Sequence, residues 1–219
     1  MPNYDYTADI NNGKIDRGNF DANIQFLERT ELLKEGIRIL EIGCGAGRLT
    51  NYLTQRGFNV IGFDISESLI KDGKVRYPDA IKIIASGDSM PFSNSTFDVI
   101  LSFDVLEHIS DVKRHLSEVR RILKKDGFYL FQTPNKLTNM PFEIIKNRSF
   151  TEYKKYHCSL QTFWSLKKLL KAHGFELTFV NIPIMNEFIE QKIEKVFGST
   201  GVYLRPMKHF NYSKNIWLS

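Results

Sequence analysis

The 219-residue sequence predicts a doubly wound α/β fold in one domain, with a mostly parallel sheet and helices on both faces. Short apolar runs alternate with amphipathic segments of helical period over most of the first 135 residues. The segment 97–103 is apolar through most of its length, as a central parallel strand covered on both faces should be. The length suits a single domain with a sizeable core.

The composition is that of a folded protein. Hydrophobic residues make up 42% of the chain and aromatic residues 13%, and the net charge of +5 does not by itself indicate nucleic-acid binding. Cys44 and Cys158 form no disulfide framework and no metal-ligand spacing, so we expect no metal site. The sequence shows no targeting segment and no run of membrane-spanning length. We therefore expect a cytoplasmic enzyme or binding protein.

The segment 38–48 is the strongest local signal. A short apolar strand carries Glu41 near its end and leads into Gly43, Gly45 and Gly47, after which a helix begins. Glycine has no Cβ, so the backbone can turn sharply and approach a ligand, toward which the first N–H groups of the helix point. This turn therefore predicts a nucleotide-like ligand, although glycine turns without a ligand also join strands to helices.

The glycine spacing bears on which ligand is bound. A dinucleotide site favours a third glycine three positions after the second, whereas the three glycines here alternate. The Glu41 carboxylate would repel a pyrophosphate, but it suits a ligand that carries an ammonium or sulfonium group.

A helix from Asn19 to about Lys34 precedes the first strand, and residues 34–36 end it. This helix either caps the ligand mouth or only covers one edge of the sheet. Tyr6 and Arg17 are weak candidates for closing over a ligand.

Two further acidic residues follow strands. The strand 58–63 ends at Asp64, about twenty residues past the glycine turn, where a carboxylate can bind both hydroxyls of a ribose. Ser66 caps the next helix, a role that Asp64 could share. After a third strand at 80–85, Asp88 could accept a hydrogen bond from an adenine amino group, or it could be an ordinary loop residue.

The β-α alternation continues to residue 135. The central strand 97–103 leads to a helix that Ser110 caps and that reaches about Lys124, and a fifth strand covers 128–135. A long segment with aromatic and basic residues, 136–157, is interpreted as a lid or substrate wall, or else as a helical insertion. A helix at 159–170, a sixth strand at 175–182 and a helix at 186–197 follow.

Several motifs together resemble the class I S-adenosylmethionine-dependent methyltransferases, most of all the branch of ubiquinone/menaquinone-biosynthesis and small-molecule methyltransferases. The resemblance implies S-adenosylmethionine as cofactor, S-adenosylhomocysteine as product and a Rossmann-like, seven-stranded sheet whose last, antiparallel strand is 213–219. It also makes residues 1–36 an N-terminal cap region, and 136–157 and 184–212 substrate-side insertions. The motifs are Glu41–Gly45, Asp64–Ser66, Gly87–Asp88, Pro91–Phe92 with Phe97–Asp98, Val105–Ile109 and Leu123–Gly127.

The resemblance also implies roles for individual residues. A structural or cofactor-shaping role falls to His108, and His157 occupies the family position of a His that precedes a helix, where it is a weak candidate for a general base. No other catalytic residue is assigned, because aligning a nucleophile with an activated methyl can supply most of the acceleration. The implied cofactor contacts are Glu41, Gly43, Cys44 and Gly45 at the methionine end, Asp64 on the ribose with Ile65 beside it, Asp88, Ser89 and Met90 around the adenine, and Phe103 and Asp104 near the methyl group.

These observations lead to several functional hypotheses. The first is a methyltransferase that acts on an oxygen, carbon or nitrogen atom of a small molecule. The basic insert and a pI near 9.1 motivate a second, a tRNA-modifying methyltransferase with salt-sensitive RNA binding. A third is a non-catalytic S-adenosylmethionine-binding subunit of a partner, and an NAD-dependent oxidoreductase is a distant fourth. The residues Ser102–Val105 stand where enzymes that methylate base amino groups carry Asn/Asp-Pro-Pro-Tyr/Phe, which argues against that chemistry.

Overall fold

A computed structural model describes residues 20–155 and 157–178. Among these residues, no helix is long and apolar enough to cross a membrane. The helices are α1 (Phe20–Thr30), α2 (Arg48–Thr54), α3 (Glu67–Arg76), α4 (Val112–Ile122), α5 (Lys136–Asn147) and α6 (Phe163–Ala172), with short 3-10 helices at Leu106–His108 and Glu152–Lys155. The strands are β1 (Arg38–Ile42), β2 (Asn59–Asp64), β3 (Ile81–Ile84), β4 (Phe97–Phe103) and β5 (Leu123–Gln132).

The five strands form one parallel sheet in the order β3-β2-β1-β4-β5. This confirms the doubly wound arrangement, in which the chain order reverses between β1 and β4. Ligands of such sheets bind outside the carboxyl ends of the strands at this reversal. Ile42, the last residue of β1, pairs with Phe63 of β2 and Ser102 of β4, so the ends of the three strands meet there.

Alternating residues of the central strands face two hydrophobic cores. Ile39 of β1 belongs to the core under α1 and α2, whereas Leu40 belongs to the core under α4 and α6. Both side chains are fully buried. Helices therefore cover both faces of the sheet, as predicted, and burial of each such side chain stabilises the fold by about 1.5–3 kcal/mol.

The N-terminal helix caps differ in one place from the sequence prediction. Ser66 caps α3 as expected, its Oγ accepting a hydrogen bond from the Leu69 N–H at 3.3 Å. The prediction that Ser110 caps α4 is wrong, because the Asp111 carboxylate accepts the hydrogen bond from the Arg114 N–H at 3.0 Å. A carboxylate at this end also interacts favourably with the helix dipole.

Two strand predictions at the end of the described chain have different outcomes. β5 begins at Leu123, earlier than predicted, because Leu123 pairs with Phe97 before the register shifts. Residues 175–178 of the predicted sixth strand form no strand, and its remainder lies outside the described residues, as do the predicted helix 186–197 and the strand 213–219. Seven strands and an antiparallel edge therefore remain predictions.

Candidate cofactor and acceptor site

The glycine turn between β1 and α2 depends on backbone conformations that favour glycine. Gly43, Gly45 and Gly47 have φ values of 70°, 56° and 91°. A Cβ on Gly43 would lie 2.3 Å from Cγ2 of Val105, so the loop after β4 fits directly against this turn. A side chain at Gly43 would therefore meet both backbone strain and a steric clash.

Asp64 joins the end of β2 to the glycine turn. Its Oδ2 accepts a hydrogen bond from the Gly45 N–H at 2.9 Å, and its Oδ1 accepts one from the Ser66 N–H at 2.8 Å. Burial raises the pKa of this carboxyl, while the bonds from Ser66 and Gly45 oppose that effect. A carboxylate has about four lone-pair sites, so the group can still accept hydrogen bonds from ligand hydroxyls. The neighbouring Ile65 is exposed.

Glu41 lies beneath the turn rather than on the surface. Its side chain is 6% exposed, and its Oε2 accepts a hydrogen bond from Thr50 Oγ1 of α2 at 2.5 Å. Burial raises its pKa to about 7, although the Thr50 bonds lower it and Asp64 raises it further. Glu41 is thus a neutral or half-ionised buried acid near neutral pH, one that a nearby cation would ionise.

Cys44 is buried within the turn, and burial raises the pKa of its thiol. A thiol that stays protonated is a poor nucleophile, which agrees with its expected role as a small residue of a ligand loop.

The loop after β3 carries Asp88, Ser89 and Met90. Asp88 is half-buried, its Oδ1 accepting a hydrogen bond from Ser86 Oγ at 2.6 Å, and Ser89 is exposed. The Met90 side chain is buried in the hydrophobic core. Met90 could therefore contact an adenine ring only where the hydrophobic core meets the ligand site, and this contact stays a prediction.

An ion pair on α4, which sequence reasoning missed, holds this loop. Glu118 Oε2 accepts the Met90 N–H at 2.9 Å, and Arg121 donates to the Met90 carbonyl at 3.0 Å and to the Phe92 carbonyl at 2.7 Å. The hydrogen bond from Arg121 lowers the pKa of Glu118 to about 2. The i, i+3 spacing of the pair was visible in the sequence, but its contact with the loop was not.

Phe103 and Asp104 end β4 beside the glycine turn. Asp104 is exposed, has φ of 55° and donates its N–H to the Gln132 carbonyl at 3.0 Å. The Phe103 ring meets the Phe26 ring of α1 edge to face, with centroids 5.7 Å apart. α1 therefore packs against this corner of the sheet, while Tyr6 and Arg17 lie outside the described residues.

Glu107, His108 and His157 form a polar cluster next to Asp104. The Glu107 carboxylate is buried, with its Oε2 accepting from Thr133 Oγ1 at 3.0 Å. The His108 and His157 rings lie 5.2 Å apart, centroid to centroid. Burial lowers the pKa of His157, and His108 lowers it further. His157 is therefore neutral near pH 7, the form in which an imidazole accepts a proton or binds a metal.

The cluster does not follow from the sequence, in which His108 and His157 belong to separate motifs. About 50 residues separate His157 from Glu107 and His108, and no local pattern spans such a distance. In the described part of the chain, Glu107, His108 and His157 lie close enough together to be a group of three potential metal ligands.

The segment 136–155 follows β5 and forms α5 and a 3-10 helix. Although α5 has an apolar side, it buries no residue fully. The predicted insertion is thus helical over much of its length, and its role as a substrate wall stays a prediction. The predicted insertion 184–212 lies outside the described residues.

The parallel sheet, the glycine turn and the strand-end carboxylates define a class I S-adenosylmethionine-dependent methyltransferase. The chain belongs to the methyltransferase-domain family, whose sequence model matches residues 15–179. This membership confirms the resemblance, the enzyme class and S-adenosylmethionine as cofactor, and it leaves no support for the NAD-dependent alternative.

Two curated relatives and one solved structure illustrate the similarity. A probable S-adenosylmethionine-dependent methyltransferase of Mycolicibacterium smegmatis is 30% identical over 65% of this chain and 53% of its own length. A ubiquinone biosynthesis O-methyltransferase of Mesorhizobium japonicum is 31% identical over 47% of this chain and 43% of its own. The chain thus spans about half the length of these relatives.

The solved structure is a Haloferax volcanii methyltransferase in complex with the Trm112 methyltransferase activator. It superposes with a TM-score of 0.72 at 16% identity, covering 97% of this chain and 93% of the other. At this identity the likeness shows the fold alone.

Proposed function

We propose that this protein transfers the methyl group of S-adenosylmethionine to a small-molecule acceptor at the carboxyl edge of the sheet, between β1 and β4. The observation that carries the proposal is the junction at Asp64, whose two oxygens tie the glycine turn to the start of α3 through Gly45 and Ser66. This junction fixes a carboxylate at the mouth of a turn in which a side chain at Gly43 or Gly47 would clash with Val105 or Lys82.

The residues of the cofactor half have distinct roles in this proposal. Asp64 binds the ribose hydroxyls with the lone pairs that Gly45 and Ser66 leave free. Glu41 supplies negative charge below the methionine end, and Asp88 accepts from the adenine amino group. When bound, the cofactor supplies a methyl group activated by its sulfonium.

The acceptor half supplies alignment and a polar surface. Asp104 and Phe103 lie at the end of β4, next to Val105, whose side chain is against Gly43. His157, neutral near pH 7, can take a proton from an acceptor hydroxyl or acidic carbon. The names of the ubiquinone-biosynthesis relatives support a small-molecule acceptor.

Calorimetry with S-adenosylmethionine, S-adenosylhomocysteine and NAD tests the cofactor half on wild type, Asp64→Asn and the exposed control Asp126→Asn. In Asp64→Asn an amide NH₂ must face a backbone N–H of either Gly45 or Ser66. The neutral amide also accepts the ribose hydroxyls more weakly than a carboxylate does. A hydrogen bond to a charged group contributes about 1.5–3 kcal/mol, so affinity should fall about 10- to 100-fold. Unchanged affinity in Asp64→Asn, or no adenosyl-ligand binding by wild type, would contradict the proposal.

Two alternatives to an independent small-molecule methyltransferase remain. A tRNA substrate draws support from the basic residues of the segment 136–155 and predicts methyl transfer to tRNA that weakens steeply with salt. Labelled methyl transfer to phenols, amines and tRNA at low salt separates it from the small-molecule proposal. Transfer to tRNA alone would refute a small-molecule acceptor.

The other alternative is a subunit that needs a partner. Among the described strands, β3 lies at one edge of the sheet. Its residues Ile81 and Ile84 are 57% and 53% exposed. An exposed apolar edge strand can pair with another chain, and the Haloferax volcanii neighbour was solved with an activator. Transfer by the isolated chain would exclude this alternative, whereas transfer only in the presence of such an activator would support it.

A further inference from the structure

We propose that Glu107, His108 and His157 bind a divalent transition-metal ion of the zinc class. Each residue offers one ligand atom, and these atoms all lie within 4.8 Å of one another. Glu107 and His108 come from the 3-10 helix after β4, and His157 from the segment before α6. The site therefore links two parts of the chain at the acceptor side of the sheet.

The spacing of the ligand atoms is close to what coordination requires. Metal–ligand bonds of about 2.0–2.1 Å in tetrahedral geometry place the donors about 3.4 Å apart. His108 Nε2 is 3.9 Å from Glu107 Oε1, and the two imidazole rings are tilted by 51° instead of stacking face to face. The His108 side chain is 39% exposed and can adjust on metal binding, whereas the Glu107 side chain is buried.

Hydrogen bonds outside the cluster already orient the ligands. Thr133 Oγ1 donates to Glu107 Oε2, which leaves Oε1 on the side of His108. Ser159 ties the histidine segment to the 3-10 helix: its N–H donates to the Glu107 carbonyl at 3.0 Å and its Oγ to the Leu106 carbonyl at 2.6 Å. Such outer contacts are what hold ligands in place at known metal sites.

His157 supplies an independent observation. Its Nδ1 is enclosed, and no residue of the described part of the chain offers it a hydrogen bond. Its backbone N–H donates to the Tyr153 carbonyl at 2.8 Å, so the residue is held in place although its ring nitrogen has no partner there. Buried polar atoms are nearly always satisfied, and a metal ion bound at Nδ1 would satisfy this one.

The donor set selects the kind of ion. Magnesium and calcium prefer oxygen ligands, whereas two imidazole nitrogens with one carboxylate suit zinc and similar ions. Three protein ligands also leave a coordination position open, as in catalytic zinc sites.

The position of the site bears on the acceptor, an extension that rests on the proposed function. Glu107 follows Asp104 by three residues, and Val105 between them contacts the glycine turn. In this extension His157 binds the metal ion in place of acting as a general base, and the open metal position favours an acceptor hydroxyl. The acceptor oxygen then forms a bond to the methyl carbon as the carbon–sulfur bond breaks, the bonding pair stays on sulfur, and the hydroxyl proton passes to water.

The test is a titration of the metal-free full-length protein with Co²⁺, followed by its visible d–d absorption, with Zn²⁺ as competitor. We compare wild type, His108→Gln, His157→Gln and the control His173→Gln, whose ring contacts the Leu169 carbonyl on α6. The expected result is one equivalent bound by wild type and control, and at least tenfold weaker binding by both site variants. S-adenosylhomocysteine affinity should be equal in wild type and His173→Gln.

Other results have definite meanings. Absence of one-to-one Co²⁺ binding by wild type, or equal binding by the site variants, would overturn the metal site. Circular dichroism checks the fold of each variant, and the wild-type titration decides even if a variant fails to fold. Co²⁺ binding without S-adenosylhomocysteine binding would refute the proposed function and leave the metal site intact.

Discussion

Replacement of the buried Glu41 by Gln is expected to change how the stability of the protein depends on pH. The Glu41 carboxyl is buried under the glycine turn with Thr50 Oγ1 as its donor. Burial raises its pKa from 4.5 to about 7. The folded protein therefore keeps a proton on Glu41 at pH values where the unfolded chain has released it.

The size of the effect follows from this difference in proton binding. Between pH 4.5 and 7 the folded state binds more protons than the unfolded state, so the free energy of unfolding falls as the pH rises. The interval corresponds to about 3 kcal/mol, at about 1.4 kcal/mol per pH unit. This stabilisation is complete below pH 4.5 and lost above pH 7. Glutamine at position 41 is neutral throughout, so Glu41→Gln should be more stable than wild type by about 3 kcal/mol at pH 8.

Urea unfolding of both proteins from pH 4.5 to 8.5 measures this difference. Subtracting the wild-type pH profile from that of Glu41→Gln removes the contribution of other groups. One of these is His115, because burial lowers its pKa to about 4. Thr50→Val removes the hydroxyl that donates to the carboxyl and should cost about 1–3 kcal/mol, whereas Thr54→Val removes only a hydrogen bond to a helix carbonyl. Parallel pH profiles for wild type and Glu41→Gln would refute the reasoning.

Two further predictions concern the contacts that support the cofactor half. Gly73→Ala should destabilise the fold by about 1–3 kcal/mol and weaken S-adenosylhomocysteine binding, because its Cβ would lie 2.0 Å from the Ala46 carbonyl oxygen in the glycine turn. Urea unfolding measures the stability and calorimetry the affinity, and wild-type values of both would contradict this prediction. Arg121→Lys should cost about 1–2 kcal/mol of stability and lower the affinity for S-adenosylhomocysteine several-fold, because lysine cannot reach the Met90 and Phe92 carbonyls together. An unchanged affinity would mean that the loop of Met90 holds its shape without the hydrogen bonds from Arg121.

The sheet could be predicted because its signals are local. The bounds of β4 coincide with the predicted segment 97–103, since a mostly apolar run between polar turns has few alternatives. Gly57 and Gly174, which end predicted helices, both have left-handed φ values, whereas the predicted cap at Gly36 is wrong, because α1 ends at Thr30 instead of near Lys34. The error at Ser110 arose because Asp111 is an equally good cap one residue later, and sequence alone does not rank the two.

The support of the cofactor loop could not be predicted in the same way. Glu118 and Arg121 read as an ordinary surface pair on a helix, yet the structure sets them against the loop of Met90. Which face of α4 meets that loop depends on how the helix packs on the sheet, and this is a property of the whole fold.

The two halves of the site differ in how far along the chain their contacts reach. The bond between Gly45 and Asp64 spans 19 residues, within one β-α-β unit whose geometry the glycine pattern fixes. On the acceptor side, Thr133 reaches Glu107 across 26 residues and Ser159 reaches Leu106 across 53. A motif can encode the first half, because its conformation is local. The second half is assembled only when separate loops meet, so no local motif encodes its chemistry.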